Sequence, residues 1–66
     1  MEFKDKIKEL RCSRDLSQMQ LALKTGLSQS AIAKWELGKT EPTASAIITL
    51  AKFFEETTDY ILGLED

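Results

Sequence analysis

Apolar residues recur along this chain with a helical period. Phe3, Ile7 and Leu10 stand at i, i+4 and i+7, with mostly charged residues between them, which predicts a first helix over roughly residues 2–13. Asp15 and Leu16 break the pattern, and Leu16 is placed to enter the core ahead of the next cap. Ser17, with Gln20 three positions on, carries a capping-box signature and starts a second helix. Leu21, Ala22 and Thr25 face inward from it, and Gly26 can end it in a left-handed conformation. Leu27 fills the corner. Ser28 then caps a third helix, which buries Ile32 and Trp35 and stops at Gly38.

Glu41, Pro42 and Thr43 mark the next start, because proline forces an extended approach and threonine can cap. Ala44, Ile47, Ile48, Leu50, Ala51 and Phe54 form a nearly all-apolar fourth helix, the expected central beam of the core. Thr57 or Thr58 caps a short final helix with Ile61 and Leu62, ended by Gly63. No segment alternates with period two over a useful length. The expected fold is all-α, a compact five-helix bundle forming a single domain over residues 1–66, the whole protein or nearly so.

Composition narrows the possible functions. Sixty-six residues with one cysteine, Cys12, and no histidine exclude an internal disulfide and leave no Cys/His zinc spacing. With no histidine, no activated nucleophile and three glycines far apart, neither an enzyme nor a cofactor is expected. Cys12 reads as an inert helix residue, and Glu55, Glu56 and Asp59 as solvated helix ends, since no calcium-type loop accompanies them. Apolar runs do not exceed three residues, so no membrane span is expected; with no export signal, the expected address is the cytoplasm. The net charge of −2 hides an asymmetry. Residues 1–39 carry eight Lys/Arg against five Asp/Glu, whereas residues 40–66 carry one against six. A polyanion would meet the first half and avoid the second.

Residues 17–39 are the most informative stretch: two short capped helices joined by a glycine turn, the second with polar side chains on its outer face. This arrangement suits insertion of one helix into a DNA major groove while the other braces it. Here the chain resembles the Xre family, the helix-turn-helix domain of phage Cro and CI-type repressors. The resemblance rests on Leu16-Ser17-Gln18, Leu21-Ala22, Gly26-Leu27-Ser28, Ile32 with Trp35-Glu36, Gly38-Lys39 and Pro42-Thr43. Leu50-Ala51 and Asp59-Tyr60-Ile61-Leu62-Gly63 extend it toward the C-terminus.

The resemblance implies a lambda-repressor-like fold and a regulator that binds double-stranded DNA as a homodimer on a pseudo-palindromic operator, most often as a repressor. It implies base contacts from Gln29, Ser30 and Lys34, with Ala33 against a thymine methyl. Phosphate contacts are implied for Gln18, Ser28, Lys39 and Thr40. Arg11 and Glu36 match a buried salt bridge that fixes the recognition helix against the first helix. Tyr60, Leu62 and Leu64 are the expected dimer contacts, and no small-molecule ligand is evident. Two departures stand out. Glu55 and Glu56 replace a glycine or asparagine and a buried aliphatic, so the fourth helix is expected to run on or fray and the last to dock less tightly. Met19 and Leu23 stand where Glu is common, four apart on one face of the second helix. They read either as tolerated exposure or as a contact patch for a protein-interaction module on the same fold, antitoxin-like or co-activator-like.

Overall fold

Four of the five helices begin where a hydroxyl takes over a backbone N–H that has no partner within the helix. The computed structural model describes residues 1–65 and folds them as α1 (Phe3–Ser13), α2 (Gln18–Thr25), α3 (Gln29–Glu36), α4 (Ala44–Phe54) and α5 (Thr58–Ile61). Ser17 Oγ accepts from the Gln20 N–H at 3.0 Å and Gln20 Oε1 accepts from the Ser17 N–H at 2.8 Å, a complete capping box. Ser28, Thr43 and Thr57 cap α3, α4 and α5 through the N–H groups of Ala31, Ala46 and Tyr60. Of the two threonine candidates for the last cap, Thr57 is the one used. Gly26 closes α2 at φ 77°, and its N–H reaches the Ala22 carbonyl at 2.9 Å.

Each helix places one aliphatic side chain at the centre. Ile7, Leu21, Ile32, Leu50 and Ile61 are all fully buried, one each from α1 to α5. Burial of such a side chain stabilises by about 1.5–3 kcal/mol, so the loss of any one helix from the bundle carries that penalty. Trp35 and Phe54 fill the space around them, and Phe3 meets the Trp35 ring edge-on with centroids 5.8 Å apart. Leu10, Leu16 and Leu27 close the rim.

The buried stripe of α4 differs from the expected one. Ala46, Leu50, Ala51 and Phe54 are buried and Ile47 is half-buried, but Ala44 and Ile48 face solvent. Ala44 and Ile48 each lie two residues from Ala46, about 200° around the helix at 3.6 residues per turn. Apolar character alone did not reveal which side of this hydrophobic helix would face in.

The end of α4 is also firmer than expected. Glu55 adopts a left-handed conformation at φ 57° and stops the helix, and the Glu56 N–H bonds back to the Ala51 carbonyl at 3.0 Å. Arg14 reaches over from the end of α1 and donates to the carbonyls of Phe53 and Phe54, both at 3.3 Å. Its guanidinium lies 5.3 and 5.1 Å from the centroids of those two rings. A cation on the last carbonyls also complements the helix dipole. α5 docks closely: besides buried Ile61, the Lys6 ammonium sits 4.1 Å from the centre of the Tyr60 ring. Gly63 lies so close to the Met1 carbonyl that a Cβ there would overlap it.

The left-handed conformation of Glu55 leaves room for improvement, because a residue with a Cβ is strained there and glycine is not. Glu55→Gly is expected to raise the unfolding free energy by about 1 kcal/mol in urea titration with an unchanged m-value.

Candidate nucleic-acid interface

α2 and α3 are separated by only Gly26, Leu27 and Ser28, and the left-handed Gly26 sets the direction of the corner. Ile32 and Trp35 anchor the inner face of α3. The outer face that remains carries Gln29, Ser30 and Lys34, all exposed, with Ala33 half-buried beside them. Ser30 Oγ lies 2.9 Å from the capping hydroxyl of Ser28, so the two candidate contact residues share a hydrogen bond at the N-terminus of α3. Past α3 the N–H of Lys39 bonds to the Lys34 carbonyl at 2.9 Å, and Lys39 and Thr40 follow on an exposed turn. Three donor or acceptor side chains on one open helix face, flanked by Lys39, can meet base edges and phosphates together.

Besides the Phe3–Trp35 contact, an ion pair ties α3 to α1. Arg11 Nε donates to Glu36 Oε2 at 2.7 Å and Arg11 Nη2 to Glu36 Oε1 at 2.9 Å, a bidentate pair. Side-chain exposures of 13% and 5% place that pair largely out of water. The remaining guanidinium nitrogen, Nη1, donates to the Leu16 carbonyl at 2.7 Å. Gln18 adds a bond from its side-chain nitrogen to Glu36 Oε1 at 3.1 Å. Gln18 therefore points partly into the protein, an arrangement that sequence spacing did not reveal. Burial pushes the Glu36 carboxyl up, but the hydrogen bonds from Arg11 and Gln18 outweigh it and hold the carboxyl below its ordinary range. The bond to Glu36 likewise holds the Arg11 guanidinium above its ordinary value, despite the opposing cost of burial.

A second surface begins at the C-terminal end of α3, and Thr40 belongs to its lining. A groove of about 630 Å³ runs between the N-terminal residues, the turn after α3 and the C-terminal turn, with Met1, Leu37, Pro42, Ile47, Leu62 and Leu64 among its walls. Leu37 and Leu64 are strongly exposed, Leu62 is half-buried, and half-buried Tyr60 faces Lys6. Met1 and Leu37 carry no periodic signal toward this groove. On α2, Met19 and Leu23 are both exposed. Cys12 is exposed, and among the described residues no three His, Cys, Asp or Glu side chains gather as a metal site. No described helix is long and apolar enough to cross a membrane.

The pair makes stability depend on pH in a defined direction. A carboxyl held low in the folded state contributes fully above the ordinary glutamate value of about 4.3, and that contribution is lost as pH falls through the folded value. Glu36→Gln is therefore expected to flatten the acid limb of a stability-against-pH curve. Arg11→Met, which strands the Glu36 charge, should cost about 3 kcal/mol at pH 7 by chemical denaturation.

Comparison with known proteins places this geometry. The helix-turn-helix family (HTH_3) is matched over residues 7–61. The HTH-type transcriptional activator BcrR of Enterococcus faecalis is 41% identical over the whole of this chain, which corresponds to 32% of BcrR. The uncharacterized HTH-type transcriptional regulator MJ0272 of Methanocaldococcus jannaschii is 36% identical, with 96% of each chain covered. The chain spans between about a third and just over half the length of most of the curated relatives it matches. Among solved structures, the P22 c2 repressor in complex with a synthetic operator superposes with a TM-score of 0.88 at 28% identity over 98% of both chains. The restriction-modification controller protein C.AhdI of Aeromonas hydrophila gives a TM-score of 0.80 at 29% identity over 89% of both chains. Fold, matched residues and relatives agree: the chain belongs to the Xre/Cro/CI-type helix-turn-helix family, a non-enzymatic family of DNA-binding transcriptional regulators.

Proposed function

We propose that this chain binds double-stranded DNA sequence-specifically, with α3 in the major groove, and regulates transcription by occupying an operator, as a repressor. The observation that carries the reading is the open polar face of α3, with Gln29, Ser30 and Lys34 exposed on a helix anchored by Ile32, Trp35 and the Arg11–Glu36 pair. Gln29 has the two-sided amide that pairs with adenine, Lys34 the donor that suits guanine O6 and N7, and the half-buried Ala33 a methyl for thymine. Gln18, Ser28, Lys39 and Thr40 then meet the phosphates, and the positive excess of residues 1–39 draws the duplex to this side. The operator-bound P22 c2 relative supports the same reading. Such a regulator works in the cytoplasm.

The functional unit is a homodimer on a pseudo-palindrome with half-sites about 34–36 Å apart. Leu62 and Leu64 support it, because they line a groove with Leu37, Pro42 and Ile47, among polar residues that include Lys4 and Glu41. Tyr60 contributes by fixing α5 under Lys6. The exposed Met19 and Leu23 favour a second reading, a protein-interaction module on the same fold; there Met19→Asp abolishes function and Lys34→Ala leaves it intact.

Selection from randomised duplexes at physiological salt, read by sequencing, is expected to enrich an inverted repeat with half-sites one turn apart; no enrichment by folded protein sinks the proposal. On the enriched site, Lys34→Ala should cost about 1–3 kcal/mol and relax preference at one base position. A loss uniform across sequences makes Lys34 a phosphate contact instead. Leu64→Asp is expected to leave the fold intact by circular dichroism and to shift sedimentation toward monomer; an unchanged association constant rules out that face.

A further inference from the structure

The Glu36 carboxylate receives three side-chain donors, two from Arg11 and one from Gln18. A carboxylate only accepts, so the Gln18 atom facing it must be the amide nitrogen. Turning the amide over would set its carbonyl oxygen against a buried negative charge, and the half-turn is therefore blocked. One N–H of that nitrogen goes to Glu36. The second has no protein partner among the described residues, and Gln18 is half-buried at the first turn of an eight-residue helix, where the helix dipole also favours an anion.

We infer that Glu36 is a positioning residue for the DNA backbone: by holding the Gln18 amide nitrogen-inward, it keeps the free N–H available to a phosphate oxygen. The inference rests on the DNA-binding reading above and adds to it a role for a group that never touches DNA. It also fixes the sign of an effect. Glu36 is a negative charge behind a surface that meets a polyanion, so if charge alone mattered, neutralising it would tighten binding. Positioning demands the opposite.

The experiment is a double-mutant cycle on the duplex that the wild type selects, at a temperature where every variant is folded by circular dichroism. Gln18→Ala should weaken binding about tenfold, as expected for a hydrogen bond to a charged acceptor. Its salt slope should not change, since Gln18 carries no charge. Glu36→Gln should weaken binding several-fold in the wild type and markedly less in the Gln18→Ala background, where only its effect on the seating of α3 remains. Tighter binding by Glu36→Gln, or an equal loss in both backgrounds, overturns the inference. Should Glu36→Gln not fold, Gln18→Glu tests the same link: it sets an acceptor against Glu36 at a helix start that tolerates acid, and undiminished affinity overturns the inference. NMR of the free protein supplies a readout independent of DNA. The two Gln18 side-chain amide protons should be well separated in the wild type and converge in Glu36→Gln, and an unchanged pair overturns the inference. If the protons converge as expected but the wild type selects no duplex, the DNA-binding reading itself has failed, and the inference falls with it.

Discussion

The buried Arg11–Glu36 pair is the constraint around which the interface is arranged. It spans α1 and α3, and the one guanidinium nitrogen left over reaches back to the Leu16 carbonyl, just before α2. Gln18 of α2 donates to the same carboxylate, so three helices are referred to it. Such a pair contributes modest net stability, because desolvating both ions offsets much of their attraction. What it supplies is direction. A hydrophobic contact of the same size would tolerate sliding, whereas a bidentate pair has one geometry. For a surface that must match base edges, a fixed orientation matters more than an extra increment of stability.

The aliphatic core and the ionic pair divide the work. Five side chains, one from each helix, meet in the centre and make the bundle cohere. The outer faces stay free to carry polar groups without weakening that core. Arg14 does for α4 what the pair does for α3, using two carbonyls and two aromatic rings in place of a carboxylate.

Four of the five helix starts were legible because each depends on one or two side chains within three residues of one another. Ser17 with Gln20, and Ser28 and Thr43, act locally and were readable as such, while the last cap was narrowed to Thr57 or Thr58. Ile7, Leu21, Ile32, Trp35, Leu50 and Ile61 announced themselves by period. The joining of Arg11 to Glu36, 25 residues apart, came from family resemblance; no spacing rule links them. What escaped was tertiary. The stripe on α4 was misassigned at Ala44 and Ile48, because a helix apolar on most sides gives no phase. The fraying foreseen at Glu55 did not occur, since the arginine that secures that end comes from 39 and 40 residues away. The inward bond of Gln18 was equally hidden, since its partner sits on another helix. In the candidate interface, sequence marked which side chains the outer face of α3 carries, but not what holds them.

The close approach of Gly63 to the Met1 carbonyl brings the beginning of the described chain against its last turn. Over the described residues the folded chain is a loop that closes across one short gap. Its unfolded form must close a loop of about sixty residues to restore that contact, an entropic cost that grows only logarithmically with length. A covalent link across the gap, placed without disturbing the glycine, removes that freedom from the unfolded ensemble and is worth about 4 kcal/mol in the chain-entropy view. The gap opens on the groove that Trp35 and Leu37 line, not on Gln29, Ser30 and Lys34, so such a link leaves the outer face of α3 open.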